Sequence, residues 1–145
     1  MTDHLEEFRE KFQLHSLTAF EGNNWVVSVR PEQVTLGSLI LSTSTGALSF
    51  EECHQEALQE IGEHFSHIER VCKKDLNCAK LNILCLMMVD PIVHFHIFPR
   101  YSSPQNFGGK VWEDMYWPKP TSMQPMSVEE KDLHSLVDLF RKSYV

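Results

Sequence analysis

The stretch DPIVHFHIFPRY, residues 90–101, places two histidines one residue apart within an apolar segment. Side chains alternate between the two faces of a β-strand, so His94 and His96 would project from one face and their apolar neighbours from the other. We therefore predict a strand over about residues 92–98, with two imidazoles side by side on one surface. A lone strand histidine is usually structural, whereas this pair, followed by Pro99-Arg100, favours a chemical role.

Two kinds of chemistry suit a pair of imidazoles. Neutral ring nitrogens coordinate zinc and other metal ions, and an imidazole can also attack phosphorus to form a covalent intermediate. A metal site of this type would be expected to add a carboxylate soon after the histidines, but residues 97–107 contain neither Asp nor Glu. Phosphoryl or nucleotidyl transfer is therefore the first interpretation, with metal binding as the alternative. We assign no metal and no cofactor.

Apolar segments elsewhere in the chain predict further strands. Residues 25–30 and 38–42 are rich in β-branched and apolar side chains and lie between turn signals. Residues 81–88 form an almost continuous apolar run, which predicts a central strand covered on both faces. This run and the histidine strand are close enough in sequence to pair as a hairpin.

Helical periodicity marks three segments. A short amphipathic helix is predicted over residues 3–13, and the clearest helix is predicted to begin at Ser49, which forms a capping box with Glu52. A second capping box at Ser127 predicts a last helix over about residues 128–142. Proline and glycine interrupt residues 101–126, which we interpret as a loop-rich tail. The sum is an α+β domain.

Composition and charge bound the class of protein. The 145 residues, 42% hydrophobic and 23% charged, suit one folded domain spanning residues 1–145. A formal net charge of -7 opposes broad attraction to nucleic acid or to an anionic membrane. No secretory signal or membrane-spanning apolar run is apparent, so we expect a soluble, cytoplasmic protein. The four cysteines lack a C-x-x-C pair and are interpreted as reduced thiols.

With Asn82 in the preceding strand and WEDMYWP at residues 112–118, residues 90–101 resemble the histidine-triad (HIT) superfamily, and in particular its bacterial-type branches. The signature strand of that family carries three alternating histidines followed by apolar residues and often Pro-Arg. The resemblance extends from about residue 12 to residue 120. It implies an antiparallel sheet packed on one long helix, with short helices at both ends.

The resemblance also implies roles for individual residues. His94 falls on the nucleophile and His96 on the phosphate contact, whereas the first position of the triad falls on Ile92, which has no polar side-chain atom. The attacking nitrogen of His94 needs a free lone pair, so its other ring nitrogen is expected to donate a proton to an acceptor such as a backbone carbonyl. Asn82 and Arg100 are assigned to substrate binding.

Aromatic and polar positions around the site complete these expectations. Trp117, in the tail, is also assigned to substrate binding, because this segment often closes over the site in HIT-like proteins; packing is the alternative role. The family places an acidic or amide side chain where this chain has Arg30, and a polar amide where it has Met88. These departures leave open a ligand other than an ordinary nucleotide.

The first functional hypothesis is a nucleotidyl hydrolase or transferase, homodimeric by resemblance, which acts on a nucleotide or nucleotide-like small molecule through a covalent adduct on His94. The alternative is a nucleotide-binding protein of the same fold with weakened turnover, which Ile92, Arg30 and Met88 favour. A histidine-based metal-binding protein is the third reading.

Overall fold

The computed structural model describes residues 3–145. Within that range four α-helices form, in chain order α1 (His4–Lys11), α2 (Leu14–Leu17), α3 (Gln55–Asp75) and α4 (Glu130–Ser143). Seven strands form in the same range: β1 (Thr18–Glu21), β2 (Trp25–Val29), β3 (Leu39–Thr43), β4 (Lys80–Leu84), β5 (His94–Arg100), β6 (Gln105–Phe107) and β7 (Lys110–Trp112). The predicted domain of residues 1–145 includes Met1 and Thr2, which lie outside the described residues.

The larger sheet has five strands in the order β1-β2-β3-β5-β4, and every neighbouring pair is antiparallel. β5 pairs with β3 and β4, so the histidine strand is flanked on both sides and its neighbours fix its register. Opposite His96 lies Ile40 of β3, and opposite Phe98 lies Asn82 of β4. The predicted α+β class and the antiparallel sheet beside one long helix are confirmed.

The two faces of this sheet are covered differently. The main core includes Val27, Leu41 and Ile97 from the sheet, together with Ile68 of α3 and Leu136 of α4. The opposite face carries His94 and His96, and a smaller apolar cluster lies there. It joins Phe8, Phe12 and Leu14 of the N-terminal segment to Val26, Ile40 and Ile92. The N-terminal segment therefore packs on the histidine face.

The prediction of a central strand over residues 81–88 was wrong. β4 ends at Leu84 and lies at the edge of the sheet, and all five of its residues are exposed or half-buried. Residues 85–89 leave the sheet, with a positive φ of 53° at Met87. A buried central strand can have the same composition as an edge strand followed by an exposed apolar loop. The composition of residues 81–88 therefore did not distinguish the two.

Element boundaries also differ from the predicted ones. Ser49 caps a short 3-10 turn at Phe50–Glu52, and the long helix begins only at Gln55. Ser127 does not cap α4, which begins at Glu130. The tail predicted as loop contains the hairpin of β6 and β7, and β1 was missed because it is short and follows α2 directly.

Candidate functional site

His94 and His96 lie one residue apart on β5 and on the same face of the sheet, as their spacing predicts. Their ring centroids are 4.9 Å apart, and the planes are nearly perpendicular at 87°. Both residues are buried, with 2% and 7% of their surface exposed. The fold therefore places two adjacent imidazoles in a protected environment, where electrostatic interactions are stronger than in water.

The backbone of Ile92 orients the imidazole of His94. Nδ1 of His94 lies 2.7 Å from the carbonyl oxygen of Ile92, and a carbonyl can only accept, so Nδ1 carries the proton and donates it. Nε2 is therefore the nitrogen with a free lone pair. The Ile92 side chain is fully buried in the apolar cluster, so this residue contributes its carbonyl and no polar side chain.

Burial keeps both imidazoles neutral at physiological pH. Desolvation lowers the pKa of His94 below its ordinary value, although the hydrogen bond to Ile92 opposes the shift. Desolvation, with Arg30 and His94 nearby, lowers the pKa of His96 to about 4. A neutral imidazole is the form that can act as a nucleophile or accept a hydrogen bond.

A cavity of about 600 Å³ adjoins the two rings, and it is lined by Lys11, Phe12, Arg30, Met88, His94 and His96, among others. This volume is in the range of small-molecule sites. Nδ1 of His96 is buried and has no hydrogen-bond partner among the described residues. Two larger surface grooves border α4, one along α3 and the other along the N-terminal helices, and neither contains His94 or His96.

The N-terminal helix forms one wall beside the histidines. The ring of Phe8 lies 4.9 Å from that of His94, and the ring of Phe12 lies 6.3 Å from that of His96. Nζ of Lys11 lies 2.8 Å from Oδ2 of Asp90, which joins the end of α1 to the loop before β5. The helix therefore limits the directions from which a ligand can approach the imidazoles.

Arg30 contributes a buried cation to the cavity. Its Cζ lies 5.6 Å from the centroid of Phe98, and one guanidinium nitrogen donates to the carbonyl of Glu32 at 3.0 Å. Among residues 3–145, Arg30 forms no ion pair, and its Nε is buried without a partner. Burial lowers the pKa of Arg30, and the Glu32 carboxylate opposes that shift.

A compact turn between β2 and β3 holds the backbone of Arg30. Gln33 is fully buried, and its side-chain amide donates to the carbonyls of Arg30 and Ser38 at 2.8 and 2.9 Å. Its amide oxygen accepts from the backbone N–H groups of Gly37 and Ser38. Gly37 has φ of 82°, and a Cβ there would lie 2.6 Å from Leu76, so the turn needs glycine at this position.

The predicted ligand contacts Asn82 and Arg100 lie elsewhere. The guanidinium of Arg100 contacts the carboxylate of Asp114 at 2.6 and 3.1 Å, the amide oxygen of Asn82 at 2.7 Å and the carbonyl of Lys119 at 2.6 Å. Neither Asn82 nor Arg100 lines the cavity beside the histidines. This cluster joins residues 114–119 of the tail to β4 and β5.

Trp117 is also separate from that cavity. It is half-buried, its backbone N–H donates to the carbonyl of Asp114, and it is not among the lining residues. Of the five predicted site residues, only His94 and His96 therefore line this cavity, whereas Asn82 and Arg100 contact each other in a separate cluster. Among the described residues, no group of three His, Cys, Asp or Glu side chains is placed to hold a metal ion.

Sequence reasoning missed three contributors to the cavity, namely Arg30, Lys11 and Phe12. Arg30 was recognised as a departure from the family pattern but was not assigned to the site. Its position after a strand and before Pro31 could have indicated that it lies near the site. Lys11 and Phe12 come from a helix whose apolar stripe was predicted. Nothing in that stripe indicates which face of the sheet the helix covers.

Within residues 3–145, none of the helices combines the length and the apolar character needed to cross a membrane. No protein-family model matches this sequence, and no curated protein matches it. Solved structures do resemble it.

A histidine triad protein from Bradyrhizobium japonicum has a TM-score of 0.69 at 19% identity, with 99% of this chain and 96% of that chain covered. A histidine triad (HIT) protein from Sinorhizobium meliloti 1021 has a TM-score of 0.72 at 14% identity, with the same coverage of 99% and 96%. A protein from Sulfolobus tokodaii strain7, named as a hypothetical histidine triad nucleotide-binding protein, has a TM-score of 0.68 at 16% identity, with 93% and 87% covered. Because the likeness extends over nearly the whole of each chain, this chain has the fold of the histidine-triad proteins.

Proposed function

We propose that this protein binds a nucleotide beside β5 and cleaves or transfers it through a covalent nucleotidyl-histidine on His94. The observation that carries the proposal is the 2.7 Å hydrogen bond from Nδ1 of His94 to the Ile92 carbonyl, which leaves Nε2 as a free nucleophilic nitrogen. The protected cavity beside His94 and His96 provides space for the phosphate.

The proposed reaction has two displacement steps. The Nε2 lone pair forms a bond to the α-phosphorus as the bond from phosphorus to the leaving group breaks, and the leaving group departs with that electron pair. Nδ1 keeps its proton, so the ring becomes an imidazolium that the carbonyl of Ile92 stabilises. Water or another acceptor then attacks phosphorus, the P–N bond breaks, and a proton is released. His96 is neutral and lines the same cavity, so its ring N–H is suited to donate a hydrogen bond to a phosphate oxygen.

The test uses adenosine 5′-phosphoramidate as substrate, followed by phosphorus NMR. We expect the wild type to release adenosine 5′-monophosphate and His94→Ala to lose at least about a thousandfold in rate, because the nucleophile is removed. His134→Ala, an exposed histidine of α4, is the matched control and should keep the wild-type rate. Equal rates for wild type and His94→Ala would exclude His94 as the nucleophile.

A second candidate function is nucleotide binding with little turnover. The close approach of Phe8 to His94 at 4.9 Å and the apolar side chain of Ile92 favour it, since both surround the nucleophile with hydrocarbon. Titration calorimetry with adenosine 5′-monophosphate, paired with mass spectrometry of the protein after exposure to the phosphoramidate, separates the two. Binding without a mass increase that corresponds to the nucleotidyl group favours the binder.

Cytoplasmic location and homodimerisation, expected from the sequence and from the family resemblance, are also part of the proposal. β4 lies at the edge of the sheet, with Ile83 on the strand and Leu86 just beyond it, both among the exposed large apolar residues. A second copy that pairs along β4 would cover them. Sedimentation velocity of the wild type and of Ile83→Asp tests this: a dimer that becomes monomeric in the variant supports it, and a monomeric wild type opposes it.

A further inference from the structure

Arg30 is a buried cation that forms no direct ion pair with the described residues. Only 8% of its surface is exposed, it forms no ion pair with residues 3–145, and its Nε has no hydrogen-bond partner there. Guanidinium groups stay charged in proteins. A charge taken out of water without a partner is strongly disfavoured, so buried arginines are normally paired with a carboxylate or a ligand.

The surrounding protein compensates this charge only in part. Phe98 supplies a cation–π contact at 5.6 Å, and the Glu32 carbonyl accepts one hydrogen bond. The Glu32 carboxylate is on an exposed residue, and the nearby Asp90 is already paired with Lys11. His94 and His96 are neutral and supply no negative charge. Glu32 also lines the cavity, and its carboxylate acts on Arg30 without forming an ion pair, so Arg30 is the buried charge of the cavity that lacks a direct counter-ion among residues 3–145.

The position of Arg30 separates it from the nucleophile. Its guanidinium lies against Phe98, which follows His94 and His96 on the same face of β5. The ring of His96 lies between the other two, 4.9 Å from His94 and 6.2 Å from Phe98. A ligand phosphate placed at His94 would leave room at the Arg30 end of the cavity for a second group.

We propose that Arg30 binds an oxyanion of the ligand, a phosphate group other than the one that His94 attacks. The identification of the ligand as a nucleotide with a second phosphate rests on the proposed function, whereas the anion site at Arg30 stands on its burial and lack of a partner. Arginine suits this role because its planar donors match the oxygens of phosphate. The site would then favour ligands with more than one phosphate group.

The first experiment measures the melting temperature with a few millimolar inorganic phosphate and with chloride at matched ionic strength, because phosphate also stabilises proteins nonspecifically. Phosphate should raise the melting temperature of the wild type and of Arg70→Met, an exposed arginine that serves as control. Arg30→Met should show no phosphate-specific rise and, without phosphate, should melt at or above the wild-type temperature. Equal rises for wild type and Arg30→Met, no specific rise in the wild type, or a less stable Arg30→Met would overturn the proposal.

The second experiment compares nucleotides by titration calorimetry. The wild type should bind adenosine 5′-triphosphate or adenosine 3′,5′-bisphosphate at least about tenfold more tightly than adenosine 5′-monophosphate, because a charged hydrogen-bonded contact is added. Arg30→Gln should lose that preference, and Arg30→Lys should keep part of it. A preference retained in Arg30→Gln, or absent in the wild type, would contradict the assignment. If His94 shows no turnover while both Arg30 results hold, the proposed reaction fails and the anion site remains.

Discussion

Arg30 and Arg100 are both buried arginines at the large sheet, and their surroundings are opposite. Arg100 donates to a carboxylate, an amide oxygen and a carbonyl, so its charge and its donors are matched within the chain. Arg30 donates to one carbonyl and lies against an aromatic ring, and among residues 3–145 it forms no ion pair. Arg100 therefore stabilises the fold, whereas Arg30 has a guanidinium N–H that no group among residues 3–145 accepts.

The difference separates a structural cluster from a candidate binding cavity. From the sequence, Arg100 was assigned to substrate binding as a donor to phosphate oxygens, with a solvated side chain as the alternative. In the structure the guanidinium of Arg100 forms an ion pair with the carboxylate of Asp114, and both side chains are buried. A buried arginine therefore points to a ligand only where the chain itself supplies too few partners for its charge and its donors.

The largest effect is expected for Arg100→Met. Removal of the guanidinium leaves Asp114 buried without its counter-ion, which should lower the free energy of unfolding by about 3–5 kcal/mol. Urea unfolding of wild type and variant measures it. Arg70→Met should change stability by no more than about 0.5 kcal/mol. A loss below about 1 kcal/mol for Arg100→Met would mean that the two arginines are not as different as their contacts indicate.

The next effect concerns pH and the histidine beside Arg30. The pKa of His96 is about 4 in the folded protein and ordinarily 6.5, so between these values the unfolded chain binds a proton and the folded protein does not. The free energy of unfolding should therefore fall as the pH drops from 6.5 towards 4, by about 1.4 kcal/mol per pH unit and by about 3 kcal/mol in all.

Urea unfolding at a series of pH values from 7 to 4.5 tests this for wild type and His96→Asn. The variant should show a shallower decline, and the remaining slope should include His94, whose pKa is also lowered. Parallel curves for the two proteins would show that His96 is not held neutral by its surroundings.

A smaller loss is expected for Gln33→Met, which tests the turn that holds Arg30. Four hydrogen bonds to buried backbone groups disappear, so the free energy of unfolding should fall by about 2–3 kcal/mol. Gln59→Met, at an exposed position of α3, is the control and should be nearly neutral. If Gln33→Met kept wild-type stability, the turn would not depend on this side chain.

The smallest effect is expected for Lys11→Met. Its ion pair with Asp90 resembles that of Arg100 in length, but the two side chains are 49% and 20% exposed. Water already solvates much of both charges, so the loss should be at most about 1 kcal/mol in urea unfolding and should shrink further at high salt. A loss of several kcal/mol would show that exposure is a poor guide to the strength of these pairs.

The sequence predicted the features that follow from periodicity and local chemistry. Alternation in residues 92–98 was enough to place His94 and His96 on one face, and the carbonyl acceptor expected for His94 is that of Ile92. The long amphipathic helix and the pairing of its following strand with β5 were also predicted.

Features that depend on distant contacts were not predictable in the same way. The edge position of β4 depends on which strands pair, and the partner of Arg100 depends on how the tail folds back to bring Asp114 to it. The covering of the histidine face by Phe8 depends on a contact 86 residues apart in sequence. The local sequence pattern does not indicate which strands pair or which distant residues come into contact.

The position of α1 restricts the stereochemistry of any displacement at His94. In-line attack requires the leaving group to depart on the side of phosphorus opposite to the attacking nitrogen. Phe8 occupies space beside His94, while the exposed side chains of Leu86, Met88 and Val89 border the cavity. In the proposed reaction a bulky leaving group would depart on the side away from Phe8, and the size and polarity of this loop would then affect which leaving groups fit.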